Sequence, residues 1–226
     1  MTNLLEVTNE WKSAFPGAHA GVLAMRNVTN PASHADLERH KNELVQELRT
    51  HYGGLNRSRL EKLPELQVYG DYYKRFKKTY HVQLQLESIL FKAKSIPNVA
   101  GLVEAMFMAE VKNQFLTAGH DLDSLQLPLR LDVTTGNETY TLMRGEVQQV
   151  KPGDMMILDG QGIISNIIYG PDQRSQIKPT TRNVVYTTYA PAGINNLAVA
   201  DHLRDIEQYI RLFAPDAQTE LLQVFG

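Results

Sequence analysis

The chain has 226 residues, enough for a large domain with a substantial core, and its 42% hydrophobic and 21% charged content is that of an ordinary globular protein. With 23 Lys and Arg against 25 Asp and Glu the formal charge is −2, so no global electrostatic grip on nucleic acid is expected, although a local basic patch is compatible with this balance. The absence of cysteine excludes disulfides, thiolate catalysis, zinc fingers and Cys-ligated iron–sulfur clusters.

The first residues, Met1–Glu10, carry acidic and amide groups where an export signal has a basic and then an apolar stretch. No apolar tract approaches the ~20 residues of a membrane-spanning helix, so the expected location is the cytoplasm and no membrane partner is expected. A strand is predicted at Gly21–Val28. From Ser33 to Gln114 the pattern is helical, with Leu37, Leu44, Val45 and Leu48 at helical spacing before Gly53-Gly54 stops the run. Beyond Pro97, the residues Val99, Leu102, Val103, Met106, Phe107 and Val111 make a second apolar stripe, interrupted by Glu104 and Glu110. One of these carboxylates is expected to face solvent and the other to line a cavity.

After Gly119 the character changes to short segments at Leu129–Val133, Thr139–Arg144, Met155–Leu158, Ile163–Ile168 and Val184–Tyr189, separated by Gly-, Pro- and Asp-rich turns. A last helix is predicted across Val199–Phe213. With no repeat and no linker, this reads as one mixed α/β (α+β) domain over 1–226, with a helical layer packed on sheet.

Three stretches carry candidate chemistry. Between Asp71 and His81 four cations, Lys74, Arg75, Lys77 and Lys78, interleave with Tyr72, Tyr73, Phe76 and Tyr80. Cations that hold phosphates beside rings that stack on unpaired bases would grip single-stranded RNA; the alternative is a surface helix with its rings in the core. His120-Asp121-Leu122-Asp123 is expected at the junction of helix and sheet, outside any regular element. A histidine with two carboxylates there could act as a base or a metal site, although the spacing matches no established metal motif and Asp at a turn is commonly a cap. The strand Ile163–Ile168 ends in Tyr169-Gly170-Pro171, followed by Asp172 and Arg174. These two charges could take the amino group and carboxylate of a ligand, or pair with each other. Phosphate-loop, dinucleotide-binding, zinc-protease and nucleophile-elbow motifs are all missing from the sequence.

The ordered set Ser95–Glu104, Gly119-His120-Asp121-Leu122-Asp123, Gly153-Asp154, Asp159-Gly160-Gln161-Gly162 and Tyr169–Ile177 with Thr181 resembles the B3/B4 domain of the phenylalanyl-tRNA synthetase beta subunit. The Tyr169–Arg174 run and the Tyr189–Ile194 segment look most like the free-standing proteins of that family. The resemblance covers 69–194 as a B3/B4-like core, with 1–68 as an N-terminal α/β extension and 195–226 as a C-terminal helical segment. It implies a layered β-sandwich of unusual topology packed with helices, and a pocket sized for an amino acid. It further implies hydrolysis of a mischarged aminoacyl-tRNA without a cofactor or metal, in which the partners are the tRNA 3′ end and an amino-acid-like ligand. His120, Asp172 and Arg174 would orient substrate and water, Asn166, Tyr169, Gly170 and Glu110 would line the pocket, and Lys74, Arg75, Lys77 and Lys78 would contact RNA. The sequence departs from the synthetase pattern at Ala118, where a histidine stands in the synthetase, and at Pro171, which replaces a glycine. A non-catalytic module for an amino acid, a small metabolite or a protein partner is the alternative reading.

Overall fold

The computed structural model describes residues 4–226. The first half is mainly helical: β1 (Leu5–Val7), α1 (Asn9–Ala14), β2 (His19–Arg26), α2 (Ala35–Tyr52), α3 (Arg57–Leu60), α4 (Pro64–Lys74), α5 (His81–Phe91) and α6 (Gly101–Asn113). The second half is mainly strand: β3 (Leu116–Asp121), β4 (Leu129–Val133), β5 (Thr139–Thr141), β6 (Val147–Gln149), β7 (Met155–Asp159), β8 (Gly162–Asn166), β9 (Gly170–Pro171) and β10 (Val184–Ala190). Helix α7 (Asn196–Arg211) and strand β11 (Gln218–Phe225) close the described chain.

Local chemistry sets several of these limits. Thr8 and Asn195 cap α1 and α7 by accepting backbone N–H groups from Trp11 and Leu197. Pro64 opens α4, where its missing N–H costs no hydrogen bond. Strand β10 is built of β-branched and aromatic residues and is buried along its whole length, as a strand covered on both faces requires.

Two sheets stack on one another. The four-stranded sheet has the order β11-β2-β10-β3 with every pair antiparallel. The five-stranded sheet runs β1-β4-β7-β8-β9, parallel only between β1 and β4. Side-chain alternation along β3 and β10 sorts the faces of the four-stranded sheet. On one face Tyr186 donates its hydroxyl to the Leu102 carbonyl of α6 at 2.8 Å, and Thr117 bonds His202 of α7 at 2.7 Å. On the other face the Tyr189 hydroxyl meets Ser165 of β8 at 2.7 Å. Helices, four-stranded sheet and five-stranded sheet therefore form successive layers, a mixed α+β architecture. A small β5–β6 ladder stands beside the five-stranded sheet.

Several expectations are corrected. His120 and Asp121 lie within β3, not at a chain end, and the 195–226 segment contains the eight-residue strand β11 as well as a helix. Strand β1 and helix α1 precede the strand predicted at Gly21–Val28. Neither Glu104 nor Glu110 faces solvent, since each is 1% exposed. Glu104 belongs to a buried cluster in which the Lys41 ammonium donates to Glu104, Glu38 and Asn98 at 2.5–2.7 Å. All three ammonium hydrogens are thereby used, which is what an ammonium removed from water requires.

Candidate functional site

The loop after β8 brings three of the predicted side chains to one place. Asp172 accepts the Ser175 backbone N–H at 3.1 Å on Oδ1, which also takes the Ser175 hydroxyl. The same Ser175 Oγ lies 2.7 Å from Nδ1 of His120, so Asp172, Ser175 and His120 form a continuous hydrogen-bonded chain. Asp172 is 4% exposed and lines a cleft of about 400 Å³, whereas Ser175 and His120 are fully buried behind it. Burial raises the Asp172 carboxyl above its ordinary range, against the opposing pull of the Ser175 donors. Burial lowers the His120 imidazole to about 3, helped by the nearby Arg174 charge, so the ring is neutral at physiological pH.

Arg174 has another principal partner than the one expected from sequence. Its two terminal nitrogens clamp the Asp159 carboxylate at 2.9 Å each, and one also donates to the Ser124 carbonyl. Asp172 is met only by Nε, at 3.5 Å. Burial works against the charge of Asp159, but donors from Gln126, Arg174 and Gln161 hold its carboxyl below the ordinary range. The guanidinium is thus a brace between β7 and the 172–175 loop, with its bidentate capacity used inside the protein.

The opposite wall of the cleft is the β5–β6 ladder, through Thr139, Tyr140 and Thr141. It is tied to the loop by the Gln173 N–H donating to the Thr141 carbonyl at 2.9 Å and by the Tyr140 hydroxyl donating to the Gly170 carbonyl at 2.7 Å. Asn166 sits beneath this wall, 1% exposed, where its Oδ1 accepts the Tyr169 N–H and the Tyr140 hydroxyl. It therefore orients the wall and does not line the cleft. Gly170 takes φ = +82°, a turn conformation that favours glycine.

Glu110 is separated from this cleft. It lies on α6, on the helical side of the four-stranded sheet, with Oε1 accepting the Thr117 N–H at 2.8 Å. Burial raises its carboxyl to about 8. The metal reading also loses its geometry, because β3 alternation turns His120 and Asp121 to opposite faces. Asp121 accepts the Thr181 hydroxyl and Asp123 the Asn183 amide. Among the described residues no group of three His, Asp or Glu side chains converges as metal ligands.

The basic run from Lys74 to Lys78 straddles the end of α4 and a turn in which Lys77 has φ = +56°. All four cations are exposed and all four neighbouring rings, Tyr72, Tyr73, Phe76 and Tyr80, are buried. Those rings are consequently not free to stack on bases, which corrects that part of the sequence reading. Arg75 lies over the Tyr72 ring at 5.1 Å, and Lys78 lies 5.2 Å from the centre of the Tyr169 ring. Tyr169 in turn packs against the buried cluster that contains Tyr140, and its N–H shares the Asn166 Oδ1 acceptor with the Tyr140 hydroxyl, so the basic turn and the cleft wall are linked. No helix of the described residues is long and apolar enough to cross a membrane.

Sequence reasoning named both ends of the polar chain but missed its middle. Ser175 stands 55 residues from His120, and its only sequence signal was membership of the Tyr169–Ile177 run.

No family model matches the chain. A stretch of 67 residues, 30% of this chain, is 30% identical to the phenylalanine–tRNA ligase beta subunit of Mycoplasma genitalium, and spans 8% of that protein's length. The fold is similar to the crystal structure of an N-terminal fragment of the phenylalanyl-tRNA synthetase beta subunit from Pyrococcus horikoshii, with a TM-score of 0.49 and 8% identity over 98% of this chain and 54% of that one.

Proposed function

We propose that this protein is a tRNA-editing-like domain that takes the 3′ end of an aminoacyl-tRNA and hydrolyses a mischarged ester. The aminoacyl group occupies the cleft between Tyr140 and Asp172, and the RNA backbone runs over Lys74, Arg75, Lys77 and Lys78. A water adds to the ester carbonyl carbon, the bond to the ribose oxygen breaks, and that oxygen takes up the proton, so that free amino acid and uncharged tRNA leave. Asp172, the group of the polar chain that reaches the cleft, accepts the ligand's amino group or the attacking water. His120 acts through Ser175 as a positioning residue, and Arg174 holds the loop against Asp159.

The observation that carries this reading is the adjacency of the two features through Tyr169, whose ring lies 5.2 Å from the exposed Lys78 ammonium and whose N–H shares the Asn166 Oδ1 acceptor with Tyr140 of the cleft wall. The 67-residue likeness to a phenylalanine–tRNA ligase beta subunit supports the class of partner. The test is deacylation of a panel of correctly and wrongly charged tRNAs, with Asp172→Asn and a His120→Ala/Asp172→Ala double variant as controls. The expected result is hydrolysis of a mischarged species that both variants abolish while circular dichroism stays native. A complete absence of hydrolysis above background rejects the catalytic part.

A specific observation favours the second reading, a binding module without turnover: His120 is sealed from the cleft and the Arg174 fork is occupied by Asp159. Calorimetric binding of an amino acid or an aminoacyl analogue, with no turnover of any charged tRNA, would support it.

A further inference from the structure

On the face turned toward the five-stranded sheet, the four-stranded sheet carries two fully buried polar atoms with no protein hydrogen-bond partner: Nε2 of His120 and Oγ1 of Thr187. Register places His120 opposite Val185 and Ala118 opposite Thr187. His120 and Thr187 are therefore diagonal neighbours on one face, with Cα atoms about 7–8 Å apart. Thr187 Oγ1 also lies near the Tyr189 hydroxyl, without an aligned bond to it.

The other nitrogen of His120 fixes where its proton sits. Ser175 has one hydroxyl hydrogen, and it is directed at Asp172 Oδ1, which also takes the Ser175 backbone N–H. That hydrogen goes to Asp172, so Ser175 Oγ accepts from His120 Nδ1–H across 2.7 Å. A neutral imidazole with Nδ1–H presents Nε2 as a bare lone pair. An acceptor with no partner and a hydroxyl with no aligned bond, both shut away from solvent on one sheet face, carry a desolvation cost that a shared water relieves.

We propose that the chain Asp172–Ser175–His120 ends on one bound water, held between the two sheets by Nε2 of His120 and the Thr187 hydroxyl. The water donates to Nε2 and bonds Thr187, which makes Thr187 a positioning residue for the cleft from the far side of the imidazole. The proposal does not depend on hydrolysis, and the same water would steady Asp172 in a domain that only binds.

The test pairs Thr187→Val, which keeps side-chain shape and removes the hydroxyl, with nitrogen-15 NMR of the histidine side chains in the full chain. The expected wild-type spectrum has His120 protonated at Nδ1 and bare at Nε2. Thr187→Val is expected to shift the Nε2 resonance and lower Tm by roughly 3–6 °C, because it strands a buried acceptor. Ser175→Ala is expected to release Nδ1 and move the proton to Nε2. An Nε2–H tautomer in the wild type overturns the proposal. So does an Nε2 resonance that ignores Thr187→Val, or a Tm that stays level or rises, since removing an unpartnered hydroxyl is neutral or favourable.

Discussion

Buried charge separates the residues that hold this molecule together from those that serve its cleft. The Lys41 ammonium is 1% exposed and is balanced chiefly by Glu104, itself 1% exposed. Lys41→Met would leave Glu104 charged in the core, and urea unfolding should register a loss of about 3–5 kcal/mol, part of it recovered when Glu104→Gln is added. Buried titratable groups also set a pH profile. Burial raises Glu110 from 4.5 to about 8 and Asp154 from 3.8 to about 7. In each case the folded state holds its proton more tightly, so stability present at low pH is lost as pH rises through the folded value. Burial lowers His120 and His202 from 6.5 to about 3 and 4, so their contribution is lost as pH falls below 6.5. Burial lowers His81 likewise, from 6.5 to about 4. Between pH 4.5 and 6.5 three histidines therefore outweigh two acids, above 6.5 only the acid loss remains, and stability should peak near pH 6.5. Thermal melts across pH should show Glu110→Gln making the alkaline limb shallower, with the Asp154 share remaining; an unchanged limb would assign it elsewhere. Of the site, the charged residues were legible because acids, bases and their turn stand out in a sequence. Their partners were not: Arg174 goes to Asp159 and His120 to Ser175, choices made by strand pairing over tens of residues.

Among the elements, those with a clean period were readable and those with mixed chemistry were not. Leu129–Val133 is the strand predicted, residue for residue, because leucine and valine alternate there with arginine and aspartate. Strand β11 was hidden by Gln218, Glu220 and Gln223 and by a bulge between Thr219 and Leu221 that breaks the alternation. In β3 the Leu-Thr-Ala-Gly-His-Asp sequence lacks the β-branched density of β10, so tertiary pairing and not propensity makes it a strand. Close approach decides the packing of α7 on β2. A Cβ at Gly21 would stand 2.7 Å from Val199 Cγ1 and 3.1 Å from Leu203 Cδ1. Gly21→Ala should destabilise by ~1–3 kcal/mol, and Val199→Ala in the same chain should restore part of it. Additive losses in denaturant melts would show that the two positions do not press on one another.

For the whole molecule, a charge of −2 hides a sharply local distribution. Lys74, Arg75, Lys77 and Lys78 crowd five residues of one turn, with Asp71 paired to Lys74 at 2.9 Å. If that turn holds phosphates, reversing all four charges should abolish RNA binding while near-ultraviolet circular dichroism stays native. Wild-type affinity should then fall with salt at a log–log slope of about −3, the value for four contacts to a single strand. Retained binding by the reversed protein would move the nucleic-acid surface elsewhere. The architecture of the molecule was foreseen at the level of helices on sheet. The stacking of two sheets was expected only through the family resemblance, as a layered sandwich, and which side of β3 looks into the cleft depends on pairings that no local pattern carries.

The pairing of β2 has a temporal meaning during synthesis. Its neighbours are β10 and β11, so the second strand made waits for the last two. About 190 residues separate the end of β2 from the start of β11, roughly 10–40 s of ribosome travel. Through that interval His19–Arg26, an apolar strand buried along most of its length in the finished fold, has both edges unsatisfied. The nascent chain is thus most exposed to aggregation long before its cleft exists, and slowing translation between β2 and β10 should lower soluble yield more than the same delay after β11.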